Sequence, residues 1–250
     1  MSRTAIVSAM HEELAAVLAL MPGEHRQTVA GREFALGRLH GQDVVVVLSR
    51  IGKVAAATTA TTLIERFGVD RIVFTGVAGG LAPKARVGDV VVATAFLQHD
   101  MDASPLFPVH EVPLYGRSRF PTDMALTQQL SQAVQAALEQ NILDSATQAD
   151  FGIQIPRTHQ GLMVSGDRFV STHHESQRLQ QSLPDALAVE MEGAAVAQVC
   201  HDYGIPFAAM RTISDRADDT AHTDFLRFVD SVASRYSAAI LDRFFSHQVG

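Results

Sequence analysis

Residues 44–80 decide the fold, and they run VVVVLSRIGKVAAATTATTLIERFGVDRIVFTGVAGG. The aliphatic run 44–48 predicts a strand, and 53–67 predicts a helix, which Gly68 ends in the C-cap position. A second aliphatic run, 71–75, predicts a buried strand. Strands that alternate with helices in this way imply a mostly parallel or mixed sheet that helices cover on both faces.

The same alternation extends over the rest of the chain. The predicted strands are 5–8, 33–39, 44–48, 71–75, 89–95, 160–165, 186–191 and 207–213. The predicted helices are 11–20, 53–67, 126–138, 192–203 and 225–240. The segment 99–121 contains four prolines and is predicted to be a long irregular loop. Because the sequence shows no internal repeat, low-complexity stretch or linker, we predict one domain over residues 1–250.

Composition excludes several classes of protein. Of the 250 residues, 47% are hydrophobic and 19% are charged, so the chain can bury a sizeable core and does not fit dominant disorder. The net charge of −7 and the lack of a basic patch argue against nucleic-acid binding as a main role. The aliphatic run 44–48 is far shorter than the roughly 20 residues of a membrane span, and the N-terminus fits no signal-peptide core. A single cysteine, Cys200, fits a reducing cytoplasm and is expected to be a small buried hydrophobe.

Carboxylates and one aromatic residue follow the predicted strands, where ligands of open α/β sheets bind. Glu12 and Glu13 follow the first strand, Phe169 follows 160–165, Glu192 follows 186–191 and Asp215 follows 207–213. Each has an ordinary structural explanation. A glutamate that opens a helix interacts favourably with the helix dipole, an aspartate can be an N-cap, and a phenylalanine can belong to the core.

Other motifs are weaker. The glycine-rich turn 76–80 matches neither G-x-G-x-x-G nor a Walker loop, so a dinucleotide-binding module is disfavoured. The turn indicates only that backbone approaches something closely. The candidate metal ligands among 11 histidines are His99-Asp100 with Asp102, His173-His174-Glu175 and His222-x-Asp224. They show neither the H-E-x-x-H spacing nor a cysteine pair, and no G-x-S-x-G is present, so we predict no metal and no serine hydrolase.

Six short motifs decide the family because they occur in a fixed order. They are Ala9-Met10-x-Glu12-Glu13, Ser49-x-Ile51-Gly52-Lys53-Val54-Ala55-Ala56, Thr75-Gly76-x-Ala78-Gly79-Gly80-Leu81 with Val87-Gly88-Asp89, Ser165-Gly166-Asp167, Val189-Glu190-Met191-Glu192 and Ile213-Ser214-Asp215. In this order they resemble the purine nucleoside phosphorylase/nucleosidase superfamily, and within it the 5′-methylthioadenosine/S-adenosylhomocysteine nucleosidases. The resemblance runs from about residue 4 to about residue 245. The fold it implies is a single three-layer α/β/α sandwich around a central twisted, partly closed mixed sheet.

The resemblance implies that water cleaves the N-glycosidic bond of a 5′-thio-substituted adenosine, without cofactor or metal, in a homodimer. Glu13 matches the glutamate that deprotonates the attacking water, and Asp215 matches the aspartate that protonates the purine N7. Glu192 matches the ligand of the ribose hydroxyls. The other expected binding residues are Met191 beside Glu192, Phe169 stacked on adenine, Val170 at the base edge, Arg211 near Asp215 and Glu192, and the wall residues Ile51, Val77, Phe225 and Met10.

The chemistry agrees with this reading, since inverting glycoside hydrolysis needs two carboxyl groups with opposed protonation states. We therefore expect Asp215 to be protonated or to share its proton, and Glu13 to be ionised. A phosphorylase must bind phosphate, which calls for arginines or clustered backbone amides. The resemblance implies an arginine near the first strand's loop in the phosphorylase branches, whereas this chain has Glu12 and Glu13 there, which would repel phosphate. The alternatives that remain are a futalosine-type nucleosidase, a phosphate-dependent phosphorylase of the same superfamily and a non-catalytic nucleoside-binding protein.

Three features depart from the family pattern. Val77 stands where relatives carry a small polar residue, which puts one contact near the sugar or the water in doubt. Arg50 stands where a glycine is common; it either biases the site towards an anionic substrate or is a solvated loop arginine. The loop 100–108 is unlike the shorter loop expected near the 5′ group.

Overall fold

The computed structural model describes residues 2–217 and 225–246. Its strands are β1 Arg3–Ser8, β2 His25–Val29, β3 Arg32–Leu39, β4 Gln42–Leu48, β5 Arg71–Thr75, β6 Val77–Gly80, β7 Val90–Gln98, β8 Arg119–Pro121, β9 Thr158–Ser165, β10 Ala186–Glu190 and β11 Phe207–Asp215. Its helices are α1 His11–Leu18, α2 Lys53–Phe67, α3 Met124–Leu138, α4 Ser145–Asp150, α5 His173–Ser182, α6 Gly193–Tyr203, α7 Phe225–Phe228 and α8 Ser234–Ser246. A π-helical turn, Val229–Ala233, joins α7 to α8.

The strands form one mixed sheet in the order β2-β3-β4-β1-β5-β11-β6-β10-β9-β7-β8. β1 lies parallel to β4 and β5, and β11 lies parallel to β5 and β6, whereas β2, β3 and β4 pair antiparallel. β7 pairs with both β9 and β11, so that β11, β6, β10, β9 and β7 close into a ring. The predicted mixed, partly closed sheet is confirmed.

Two apolar cores, one on each face of the sheet, account for the three layers. On one face, α2 and α6 contribute buried side chains such as Leu63 and Val196. On the other, α1, α3 and α8 contribute Val17, Val134 and Ile240. Burial of one such aliphatic side chain contributes about 1.5–3 kcal/mol, so both helical layers are held mainly by apolar contact with the sheet. Cys200 is buried in the first core, as expected.

The differences from the predicted elements arise where the sequence lacks an apolar pattern. The predicted turn 76–80 is wrong, because its last four residues form β6, which pairs with β10 and β11. β2 has the sequence HRQTV and is almost wholly exposed, and α5 is strongly polar, so periodicity indicated neither. The predicted loop 99–121 ends in the short strand β8, and the helix predicted from 192 begins at Gly193.

β6 is glycine-rich because neighbouring groups approach its backbone closely. A Cβ atom on Gly79 would lie 2.9 Å from the Ala217 Cβ and 3.0 Å from the Asp215 Oδ1. A side chain at this position would displace the end of β11. The prediction that the glycine run marks a close approach of backbone is confirmed.

Gly193, the first residue of α6, gives a testable prediction about packing next to Glu192. A Cβ atom there would lie 2.2 Å from Phe96 Cε1, inside the van der Waals distance. We expect Gly193→Ala to lower the free energy of unfolding by about 1–3 kcal/mol, measured by urea denaturation. Adding Phe96→Leu should restore part of the loss. Unfolding of the single variant at the wild-type urea concentration would contradict this packing argument.

Candidate functional site

A cavity of about 170 Å³ lies at the carboxyl ends of β1, β10 and β11. Its wall is mostly apolar, with a few convergent polar groups, as in small-molecule sites. Nine of the eleven residues that the sequence assigns to the site line it: Met10, Ile51, Val77, Phe169, Val170, Met191, Glu192, Asp215 and Phe225. The other two, Glu13 and Arg211, lie outside this wall. The structure adds Ala9, Ala78, Gly79, Arg168, Val189, Glu190 and Ser214.

Two aromatic rings form one side of the cavity. Phe169 and Phe225 meet edge to face, with ring centroids 6.1 Å apart. Phe169 keeps 44% of its surface exposed, so its explanation as a core residue is wrong. Ile51, which is also largely exposed, lines the cavity as well. These apolar surfaces suit a flat heterocycle.

Asp215, the last residue of β11, has its carboxyl group held on both oxygens. Oδ1 accepts the backbone N–H of Ala217 at 2.7 Å, and Oδ2 accepts the hydroxyl of Ser214 at 2.6 Å. The side chain is 9% exposed and lines the cavity. A carboxyl group fixed in this way is positioned to exchange a proton with a bound ligand.

Glu192 precedes α6 but makes no side-chain hydrogen bond to cap it. Its Oε1 accepts instead the backbone N–H of Gly52 at 2.9 Å, from the loop before α2. Burial raises the pKa of Glu192, and the neighbouring charge of Glu190 raises it further. An explanation by the helix dipole alone therefore does not account for where this side chain points.

Glu190 is the main residue that sequence reasoning left without a role. Its Oε2 lies 2.7 Å from Arg211 Nη2, and its carboxylate also accepts the Gly193 N–H at 2.9 Å and the Ser165 hydroxyl. Arg211 is fully buried, with its guanidinium 4.1 Å above the ring of Phe74. The ion pair thus places Arg211 next to Glu190 and outside the cavity wall. The sequence feature that could have identified Glu190 is its position at the end of a predicted strand.

Glu13 is fully buried in the first turn of α1, three residues beyond the cavity residue Met10. Ser237 Oγ, which lies 2.6 Å from Thr75 Oγ1, is 3.5 Å from Glu13 Oε1. Burial raises the pKa of Glu13 to about 7, although the charge of Arg211 opposes the shift. A pKa near 7 leaves this carboxyl group able to take up or release a proton near neutral pH, and the ionised state of Glu13 stays a prediction.

No metal-binding group can be assembled from the described residues. Within 2–217 and 225–246, no three His, Cys, Asp or Glu side chains lie together in a way that could hold a metal ion. The candidate His222-x-Asp224 falls outside these ranges. In the same ranges, every helix is too short or too polar to cross a membrane.

The raised pKa of Glu13 predicts a pH-dependent stability. Its folded pKa of about 7 exceeds the ordinary value of 4.5, so the folded state binds more protons between these values and stability falls as the pH rises through this window. We expect Glu13→Gln to raise the free energy of unfolding at pH 8 by up to about 3 kcal/mol, and to raise it much less at pH 5. Urea denaturation at both pH values measures this.

The matched control is Glu139→Gln, which changes an exposed glutamate at the end of α3. It should leave stability nearly unchanged at both pH values. A Glu13→Gln variant that is less stable than the wild type at pH 8 would contradict the raised pKa of this carboxyl group.

Comparison with known proteins places this geometry in a family. The profile of the Phosphorylase superfamily matches residues 3–246. A 5′-methylthioadenosine/S-adenosylhomocysteine nucleosidase of Shewanella baltica (strain OS185) is 35% identical over 236 residues, which cover 94% of this chain and 92% of the relative. The resemblance seen in the six motifs is confirmed.

Solved structures of related enzymes are similar to this chain over nearly its whole length. The 5′-methylthioadenosine/S-adenosylhomocysteine nucleosidase of Neisseria meningitidis, in complex with methylthio-immucillin-A, has a TM-score of 0.85 and 31% identity, with 99% of this chain and 100% of that chain covered. A futalosine hydrolase mutant of Helicobacter pylori also has a TM-score of 0.85, at 29% identity and the same coverage.

Proposed function

The chain belongs to the phosphorylase superfamily, and from this premise we propose that it is an N-glycosyl hydrolase that releases adenine from 5′-thio-substituted adenosines. Methylthioadenosine and S-adenosylhomocysteine are the proposed substrates, with 5′-deoxyadenosine as a third. The observation that carries the proposal is the cavity itself. It sets Asp215 and Glu192 against an apolar, aromatic wall, with the buried Glu13 one helical turn behind Met10.

The proposed reaction breaks the bond between C1′ of the ribose and N9 of adenine. Adenine lies against Phe169, and Asp215 donates a proton to N7, so that the base leaves neutral. Glu192 accepts hydrogen bonds from the ribose hydroxyls, and its carboxylate stabilises the positive charge that develops on the sugar. Glu13 takes a proton from water as the oxygen bonds to C1′. A pKa near 7 suits a general base at neutral pH.

The charge of the cavity favours water over phosphate as the nucleophile. Glu190, Glu192 and Asp215 line the wall, and the cation among the described lining residues, Arg168, is paired with Glu175. Phosphate binding needs arginines or clustered backbone amides that are free to take the anion. A phosphate ion in this wall would meet carboxylates first.

The proton donor can be tested directly. We expect Asp215→Asn to lower kcat for adenine release by about 10²–10⁴-fold, because an amide cannot protonate N7. Methylthioadenosine, S-adenosylhomocysteine, 5′-deoxyadenosine and futalosine are each assayed, with and without phosphate, for release of the free base that each carries. The control Asp185→Asn changes an exposed aspartate paired with Arg119, and it should keep wild-type rates.

The outcomes separate the alternatives. Release of adenine at equal rates with and without phosphate supports the hydrolase. Release that requires phosphate would make the protein a phosphorylase. Binding of the nucleosides without any release would make it a non-catalytic binding protein.

We further propose a cytoplasmic homodimer that serves methionine salvage. Large apolar side chains are exposed near the start of α2 and in the loop 99–121: Ile51, Val54, Leu106, Val109 and Leu114. Lys53 Nζ lies 2.6 Å from Asp100 Oδ1 and so connects the two segments. Because Ile51 also lines the cavity, a second copy on this surface would lie beside the site. Exposed apolar patches of this kind are typical of protein–protein contacts.

The homodimer is tested by charge insertion. We expect the double variant Val54→Asp, Leu106→Asp to sediment as a monomer where the wild type sediments as a dimer. The reason is that each subunit would bury two unpaired negative charges in the interface. Ile155→Asp, which changes an exposed apolar residue elsewhere, is the control. A wild-type protein that sediments as a monomer would refute the proposal.

A further inference from the structure

A second cavity, of about 490 Å³, lies between α1 and the antiparallel strands β3 and β4. It shares no lining residue with the first cavity, although the two are adjacent along the chain. His11 lines this crevice and Met10 lines the first cavity; Arg50 lines the crevice and Ile51 lines the first cavity. We call this second cavity the arginine crevice.

Three arginines line the arginine crevice, and only one of them is neutralised. Arg26 pairs with Glu24 at 2.9 Å and with Glu33, the carboxylate of the crevice wall, at 2.7 Å. Arg32 donates to the hydroxyl of Thr59 at 2.7 Å and to backbone carbonyls, and Arg50 donates to a backbone carbonyl. Within residues 2–217 and 225–246, no carboxylate pairs with either of these two guanidinium groups. Two uncompensated cations in one cavity are notable in a chain whose net charge is −7.

The backbone of Arg50 is strained, which sets it apart from an ordinary surface arginine. Its φ is +64°, in the left-handed region that favours glycine. The family pattern, by its resemblance to this chain, has a glycine at this position. Five other non-glycine residues in the described part of the chain share this region, and such strained backbone clusters at active sites and ligand sites, where the surrounding structure holds it in place.

Arg32 shows that the crevice concentrates positive charge. Burial lowers the pKa of the Arg32 guanidinium, and the charge of Arg50 lowers it further. The two guanidinium groups donate to adjacent carbonyls of the turn between β2 and β3, Arg32 to Ala30 and Arg50 to Gly31, so they lie close together. A negatively charged group between them would relieve this repulsion, and guanidinium groups bind planar oxyanions with paired hydrogen bonds.

We propose that the arginine crevice binds an oxyanion, a carboxylate or a phosphate, between Arg32 and Arg50. The oxyanion has two sources. It is either the carboxylate of the homocysteine group on the 5′ side of S-adenosylhomocysteine, reached past Ile51, or a free anion that occupies the crevice independently of the substrate. The first source rests on the proposed function, and the second does not.

The binding experiment uses the full chain and its variants Arg50→Met, Arg50→Lys and Arg66→Met. Arg66 is an exposed arginine in the last turn of α2, so its variant removes one positive charge outside the crevice. Inorganic phosphate and acetate are titrated by calorimetry, and unfolding temperatures are measured alongside. Binding of either anion to the wild type and to Arg66→Met, with loss in Arg50→Met and partial retention in Arg50→Lys, supports a free-anion site.

The kinetic experiment compares kcat/KM for S-adenosylhomocysteine and methylthioadenosine, of which only the first carries a carboxylate. If Arg50 binds the carboxylate of S-adenosylhomocysteine, we expect Arg50→Met to lower kcat/KM for this substrate about 10-fold. The same variant should leave kcat/KM for methylthioadenosine unchanged. Arg66→Met should change neither value.

Each outcome has one meaning. An equal change for both substrates in Arg50→Met, or no change for either, rejects the substrate source, and the calorimetry then decides alone. Absence of anion binding together with either of these results overturns the crevice as an oxyanion site. If neither substrate is turned over by the wild type, the proposed function fails, while the anion titration still tests the crevice.

Discussion

The buried ion pair of Arg211 and Glu190 is the interaction on which the rest of the site depends. Arg211 lies in β11, between β5 and β6, and its guanidinium packs over Phe74 of β5. Glu190 ends β10 and accepts from Ser165 of β9 and from Gly193 of α6. One charged pair therefore joins four strands and a helix start. Breaking a buried pair by removing one partner typically costs about 3–5 kcal/mol, because the other charge is left uncompensated.

The same pair sets the protonation balance of the cavity. The positive charge of Arg211 lowers the pKa of both Glu13 and Glu192, and the negative charge of Glu190 raises that of Glu192. In both cases burial raises the pKa by more than the charge of Arg211 lowers it, so both pKa values lie above the ordinary range. Because the charge of Arg211 opposes the effect of burial, Glu13 and Glu192 can both gain or lose a proton near neutral pH. Such perturbed groups are typical of active sites.

The sequence predicted the parts of the fold that have an apolar pattern. The aliphatic runs of β4 and β5 identified the sheet, whereas β6, with the sequence VAGG, is too short and has too few side chains to show an alternating pattern. Motif resemblance found most of the cavity wall and assigned a role to Glu192, but it gave no role to the neighbouring strand-end carboxylate Glu190. Only the fold shows that Glu190 faces Arg211 while Glu192 faces Gly52.

The loop that joins β4 to α2 connects the features of the two cavities. Arg50 lines the arginine crevice, Ile51 lines the first cavity, and the backbone of Gly52 holds Glu192. Lys53 then binds Asp100 with its side chain and Asp167 with its backbone N–H. The backbone N–H groups of Gly52 and Lys53 each donate to a carboxylate, so the backbone that follows position 50 is held by contacts in which the Arg50 side chain takes no part. The loop therefore places the charge of Arg50 next to the first cavity while Glu192 keeps its contact with Gly52.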